Sequence, residues 1–225
     1  MTDTARLGQA LPGWQPCPLP STSRMSGRSV HLDPLDADRH AADLFAALQG
    51  HDALWDYMAV GPFADAAAHA AWVRGVQGKA DPVFFAICDA QTGKAMGLAS
   101  YLRIDPANGV IEVGNITLSP ALQRSVAATE AMHLMMARAF AIGYRRYKWK
   151  CNALNLPSRR AAQRLGFSFE GVFRNHMVIK GRNRDTAWFS ITDAEWPGIR
   201  ATHGTWLAPG NFDAGGDGRK CGLPT

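Results

Sequence analysis

Apolar and polar positions alternate from residue 29 to 35, with Val30 and Leu32 on one side, the period of a half-buried strand. From 38 to 49 the apolar positions Ala42, Leu44, Phe45 and Leu48 fall at helical steps of three and four. A second helix is predicted over 65–77, with Ala68, Trp72, Val73 and Val76 on one side and Asp65 placed to accept from free amides at its start. Residues 83–88 form an unbroken apolar run. Strands at 94–104 and 110–118 flank the turn signal Asp105-Pro106-Ala107-Asn108-Gly109, which predicts an antiparallel hairpin. The longest helical pattern spans 127–142, carries a stripe of Met132, Met135 and Met136 suited to core packing, and ends at Gly143. A short strand at 146–151, a helix at 157–165 with Pro157 near its first position, and strands at 167–179 and 186–191 turning through 180–183 complete the pattern. Thr192-Asp193-Ala194-Glu195 has the form of a capping box and predicts the start of a short last helix, although Pro197 falls in its first turn.

The order β-α-α-β-β-β-α-β-α-β-β puts a strand–helix–strand–helix unit into the second half of a largely antiparallel sheet, which makes the class mixed α/β. Residues 1–27 hold Pro12, Pro16, Pro18 and Pro20 and read as an irregular arm. The organisation expected is that arm, one domain over 28–192, and a C-terminal helix and flexible tail over 193–225. With 225 residues, 47% of them apolar and 19% charged, the chain has the composition of a globular domain. No apolar run approaches the ~18 residues of a membrane span, and no secretory signal is read at the start. The four cysteines, Cys17, Cys88, Cys151 and Cys221, are scattered without metal-ligand spacing, so no metal is expected and a reducing, cytoplasmic setting is. The formal net charge of +5 suits a polyanionic cofactor. Nucleic acid is disfavoured as a partner, because the basic runs lack interleaved aromatic residues in a recognition motif.

The informative stretch runs from Glu112 to Phe167. A strand ends at Ser119-Pro120, a short loop follows, and the Met-rich helix begins. Such a junction offers unpaired amides and the positive end of a helix dipole to a phosphate. Alone, the junction is equally read as an ordinary connection. Three further features raise its information content: Glu-x-Gly at Glu112 to Gly114, the run from Gln123 to Ala131 after Ser119-Pro120, and Asn155-x-x-Ser158 followed by Leu165-Gly166-Phe167. Together they resemble the GNAT superfamily of acyl-CoA N-acyltransferases over roughly residues 27–191, and most closely the branch holding the ribosomal-protein alanine and serine N-acetyltransferases.

That resemblance implies a V-splayed, mostly antiparallel sheet flanked by helices. It implies an enzyme that moves the acetyl group of acetyl-CoA to a primary amine, of a small molecule or a protein N-terminus, by direct attack in a ternary complex. The loop Gln123, Arg124, Ser125, Val126, Ala127 and Ala128 would hold the pyrophosphate. Ile116, Thr117 and Leu118 would pair with the pantetheine arm, which Asn155 would steady. Ser158 would stand near the thioester sulfur, and Arg159 and Arg160 would meet the 3′-phosphate. The other basic residues nearby (Arg145, Arg146, Lys148, Lys150 and Arg164) read as a solvated face. Glu112 and His176 are the candidate bases, each with a bland alternative: a strand carboxylate paired with an arginine, and an ordinary strand histidine. Trp55, Asp56 and Tyr57 fall where relatives cap the acceptor site. A homodimer is compatible with the pattern.

Three positions depart from the family. Val126 stands where a glycine is usual, Ala162 replaces a tyrosine that serves relatives as acid, and Met177 replaces a glutamate of the ribosomal branch, which weighs against a ribosomal acceptor. The competing reading is a catalytically weak acyl-CoA-binding module that acts as a sensor or partner protein.

Overall fold

The computed structural model describes residues 7–212. Eight strands form one sheet in the order β1-β2-β3-β4-β5-β6-β8-β7. They are β1 (Met25–Ser26), β2 (Val30–Pro34), β3 (Val83–Asp89), β4 (Ala95–Asp105), β5 (Val110–Leu118), β6 (Arg146–Asn152), β7 (Ser168–Ile179) and β8 (Arg182–Thr192). Every neighbouring pair is antiparallel except β5 and β6. The helices are α1 (Ala37–Leu48), α2 (Ala66–Val76), α3 (Val126–Ala141), α4 (Leu156–Arg164) and α5 (Trp196–Leu207). The class is the mixed α/β one read from the sequence.

The apolar run of β3 is buried throughout because both of its faces are covered. Phe84, Ala86 and Cys88 face one cluster with α1 and α2, formed with Leu44 and Val73. Val83, Phe85 and Ile87 face a larger cluster holding Ile111, Tyr147 and the α3 residues Ala131, Met132, Met135 and Met136. The methionine stripe is therefore core. Asp36 caps α1 by accepting from the Arg39 amide, and Asp65 caps α2 by accepting from the Ala68 amide.

Most element bounds fall within a residue of the sequence reading, with three corrections. The last hairpin turns through Lys180 and Gly181 alone, so β8 begins at Arg182 rather than 186. Both turn residues have positive φ (50° and 71°), the two-residue turn that matches strand twist. The capping box expected at Thr192 is instead a turn: Glu195 accepts from the Thr192 amide and hydroxyl, and α5 starts only at Trp196, with Pro197 in the tolerated first turn. The arm of residues 7–27 runs along the domain and contributes β1. Arg138 of α3 holds it by donating to the carbonyls of Ser21, Ser23 and Arg24. Cys17, Cys88 and Cys151 are buried and unbridged. Residues 213–225, and Cys221 among them, lie outside the described residues.

Helix α5 packs on α3 through Trp196, stacked on Phe140 with ring centroids 4.9 Å apart, and through His203, whose Nδ1 lies 3.2 Å from Nδ1 of His133. Burial, reinforced by His133 and Arg164, pushes His203 down to about 4. A histidine depressed in the fold gives stability that is complete above its unfolded value and lost as pH falls below it. Acidification from pH 7.5 to 5 should thus cost about 2 kcal/mol through this group. Urea unfolding at the two pH values reads it: His203→Gln should remove this share of the difference, while the buried, likewise depressed His40, His69 and His133 keep theirs. An equal loss in that variant would assign the acid sensitivity elsewhere.

Candidate functional site

Strands β5 and β6 pair in parallel from Val110–Arg146 to Val113–Trp149 and no further, although β5 continues to Leu118 and β6 to Asn152. On its other side β5 stays joined to β4 as far as Gly97–Leu118. Residues 114–118 therefore border a wedge-shaped gap. A bulge at Asn115 accompanies it: β5 has one residue more than β4 between Ser100–Gly114 and Leu98–Thr117, and Asn115 takes φ 51°. Its side-chain NH₂ donates to Ser100 Oγ at 2.9 Å. A bulge of this kind increases local twist, which helps to turn β5 away from β6. Ile116, Thr117 and Leu118 lie along this wall, and Thr117 Oγ1 is buried with no hydrogen-bond partner among the described residues.

Past Leu118 the chain makes a tight loop. The Leu122 and Gln123 amides donate to the Ser119 carbonyl, and Arg124 adopts φ 60°. Ser125 caps α3, its Oγ accepting from the Ala128 amide at 3.0 Å. The amides of Gln123, Ser125 and Ala128 are engaged within the chain, whereas those of Arg124, Val126 and Ala127 have no protein acceptor among the described residues. Val126 is already the first helical residue. The left-handed conformation falls two positions earlier, on Arg124, so the absent glycine is not required here. The Arg124 side chain is exposed beside these amides.

Asn155 caps α4: its Oδ1 accepts from the Ser158 amide at 3.1 Å, which leaves its side-chain NH₂ for a ligand. Ser158 Oγ accepts from the Trp149 indole at 3.0 Å and lies against the Cys151 thiol. Arg159 is partly committed, donating to the Ala153 carbonyl and resting over the Phe169 ring, while Arg160 is exposed. Ala162, at the position of the missing tyrosine, is fully buried.

On the sheet face opposite α3 stands Glu112, 1% exposed. Arg103 donates to its Oε1 at 2.7 Å, and Lys148 Nζ lies 4.0 Å from Oε2, which has no hydrogen-bond partner. The arginine-paired alternative is thus realised, with one oxygen left over. Burial pushes the Glu112 carboxyl up, against the pull of Arg103, Lys150 and Lys148. His176 projects from a two-residue bulge in β7, where Asn175 takes φ 50° and its amide donates to Asp185. Its Nδ1 is 2.9 Å from Thr186 Oγ1, and its ring borders an open hollow shared with Phe173, Arg174 and Asp185. Partial burial, then Lys150, Arg184 and Arg103, hold the imidazole below its ordinary value.

The sequence reading placed Lys148 and Lys150 on a solvated face; the structure corrects this. Pairing of Lys148 with Ser190 and of Lys150 with Trp188 sets both half-buried on the sheet face that carries Glu112. Arg103, Arg184 and Trp188 join them and were not singled out. Their spacing at alternate strand positions was the available signal, but register across three strands was needed to use it. The loop after α1 does reach this side: Tyr57 donates to the Leu154 carbonyl at 3.3 Å, and Lys180 donates to the Trp55 carbonyl at 2.8 Å. Trp55 itself is packed, 3% exposed, edge-on to Phe63.

Elsewhere His31, Asp33 and Cys88 meet within 4.8 Å. Asp33 already carries Arg24 and Arg39, whose charges oppose a cation. Among the described residues no helix is long and apolar enough to cross a membrane.

Comparison with known proteins gives concordant results. A family model described as "Acetyltransferase (GNAT) domain" matches residues 29–168. A GCN5-related N-acetyltransferase from Brucella melitensis has a crystal structure similar to this one at TM-score 0.92 and 47% identity, covering 95% of this chain and 97% of that one. A protein called uncharacterized N-acetyltransferase p20, from Bacillus licheniformis, is 25% identical over 183 residues, covering 79% of this chain and 97% of its own length. A ribosomal L7/L12 α-N-protein acetyltransferase shares the fold at TM-score 0.66 and 18% identity, covering 76% of this chain and 94% of that one. With the splayed strands, the amide-lined loop and these matches together, the chain belongs to the GNAT acetyltransferase family and is an N-acetyltransferase.

Proposed function

We propose that this chain transfers the acetyl group of acetyl-CoA to a primary amine by direct attack in a ternary complex. The observation that carries this reading is the pairing of a strand gap at residues 114–118 with three unengaged amides, of Arg124, Val126 and Ala127, at the start of α3. Diphosphate fits those amides and the helix dipole. The pantetheine arm fits the gap as an added strand would, and the Asn155 NH₂ can donate to it. Arg124 and Arg160 are the exposed cations nearest in sequence to this path, and Arg160 suits the 3′-phosphate better than Arg159, which is bound within the chain.

An ammonium has no lone pair, so the acceptor must lose a proton before it attacks. His176 suits that task. In the tautomer in which Nδ1 donates to Thr186 Oγ1, Nε2 carries the lone pair, and the lowered pKa favours the neutral imidazole at pH 7. The nitrogen attacks the thioester carbonyl, the C–S bond breaks, and the thiolate leaves. A thiolate is stable enough to depart without a strong acid, which accommodates alanine at 162. Ser158 is the nearest hydroxyl in the family pattern that can donate to it. A second reading assigns proton removal to Glu112 through water, favoured by its unpartnered Oε2 and raised pKa.

Calorimetric titration with coenzyme A and thiol release from acetyl-CoA with a panel of amines test the proposal. Failure to bind coenzyme A overturns it. Binding without thiol release for any amine favours the sensor module. In the active protein, kcat/KM should fall as pH drops through a value below the ordinary histidine pKa, because the base must be neutral. His176→Gln should abolish that acid limb. Its persistence in His176→Gln and loss in Glu112→Gln would move the role to Glu112.

A further inference from the structure

The sheet face around Glu112 holds more positive charge than that carboxylate balances. Arg103, Lys148, Lys150 and Arg184 surround Glu112, and Arg103 alone makes a close ion pair with it. Arg184 is half-buried in β8, and its Nε is buried with no acceptor among the described residues. No carboxylate among the described residues comes within 4.0 Å of Arg184 or Lys150. Arg184 and Trp188 are four residues apart in β8, so the two-residue period of a strand puts them on the same face, where both are half-buried. The Trp188 indole Nε1 is also buried without an acceptor among the described residues, and Lys150 Nζ lies 5.2 Å from that ring. His176 is 5.7 Å from the same ring, centroid to centroid.

A guanidinium N–H and an indole N–H left without acceptors in a cleft are costly, since each has given up water. Both are donors only, and the surrounding field is cationic. A neutral or cationic ligand would leave that field uncompensated, whereas an anionic oxygen group would accept from both donors and lower the mutual repulsion of four cations. Burial and its basic neighbours push Lys150 down to about 8, a sign that the cleft as built disfavours further positive charge. An amine with no anion attached would bring exactly that charge in its protonated form.

We infer that the acceptor is an amine bearing an anionic oxygen group, a carboxylate or a phosphate, and that Arg184 and the Trp188 indole N–H bind this group beside His176. The inference rests on the acetyl-transfer reading and names the substrate class of the same site. Phe173, 57% exposed and 5.1 Å from the Trp188 ring, offers an apolar wall for the remainder of such a molecule.

The test compares α-amino acids, their matching amides and aminoalkyl phosphates as acceptors. Thiol release should give kcat/KM about 10- to 100-fold higher for one anionic set than for the amides, the range expected of hydrogen bonds to a charged group. Which set responds distinguishes carboxylate from phosphate. Arg184→Met should bring the ratio near one, and Arg184→Lys should keep part of it, with circular dichroism confirming that both variants fold. A second readout does not depend on turnover: the indole ¹H–¹⁵N resonance of Trp188, assigned with Trp188→Phe, should shift on titration with N-acetyl amino acids and aminoalkyl phosphates more than with N-acetyl amino amides. Amides that match the anionic acceptors, or a Trp188 resonance that no anion moves, overturn the inference while leaving acetyl transfer intact. Absence of thiol release with every amine would instead count against acetyl transfer, and the indole titration would still decide whether the anion site exists.

Discussion

Val126→Glu is expected to weaken coenzyme A binding by about 100-fold or more while the protein stays folded. Val126 opens α3, and its amide is one of the three in this loop that have no acceptor among the described residues. A carboxylate in the first helical turn interacts favourably with the dipole, by about 0.3–1 kcal/mol, so stability should hold or rise slightly. The same carboxylate would stand beside the bound diphosphate. Like charges ~4 Å apart repel by about 4 kcal/mol at an effective dielectric of ~20, more than enough for two decades of affinity. Calorimetry with coenzyme A and a thermal melt separate the two effects. Val126→Gly makes the useful control. Because position 126 is helical and the left-handed residue is Arg124, restoring the family's glycine should change affinity little. A Val126→Glu protein that binds coenzyme A normally would place the pyrophosphate elsewhere.

Glu130→Ala is expected to cost about 3 kcal/mol or more in stability, through three stranded backbone donors. Glu130 projects from α3 and accepts from the amides of Arg28 at 2.8 Å, Ser29 at 2.6 Å and Val30 at 3.2 Å, at the start of β2. It is 8% exposed. Gly27 makes the approach feasible, since a Cβ there would stand 2.6 Å from the Glu130 Cδ. With alanine at 130 these donors lose their acceptor in a place water reaches poorly. A domain of this size has about 5–15 kcal/mol in total, and the melting temperature should drop by roughly 10 °C. Glu130→Gln keeps one acceptor oxygen and should recover part of the loss. A melt unchanged in Glu130→Ala would show that solvent replaces the carboxylate, and that the arm-side edge of the sheet does not depend on α3.

Glu130 also marks a limit of reading along the chain. At its position in the Met-rich stripe nothing distinguishes it from a solvated helix glutamate. Its partners lie about a hundred residues earlier, and only the packing of α3 under β2 brings them together. The same holds for Lys148 and Lys150, which read as solvent-facing until the pairing of β6 with β5 and β8 places them beside Glu112.

The elements themselves were legible because their cause is local. Period-2 and period-3.6 patterning, the cap at Asp65 and the Met stripe each act within a few residues, and the strand–loop–helix junction at Gln123 is a local feature too. Which of its amides remain free depended on hydrogen bonds within the loop. The splay of β5 from β6 depended on where a parallel ladder stops, and the cationic floor depended on register across three strands. Local preference acts between near neighbours, so the sequence determined what each segment becomes. Interactions among distant segments, set only when the sheet closes, decided which side chains share the cleft.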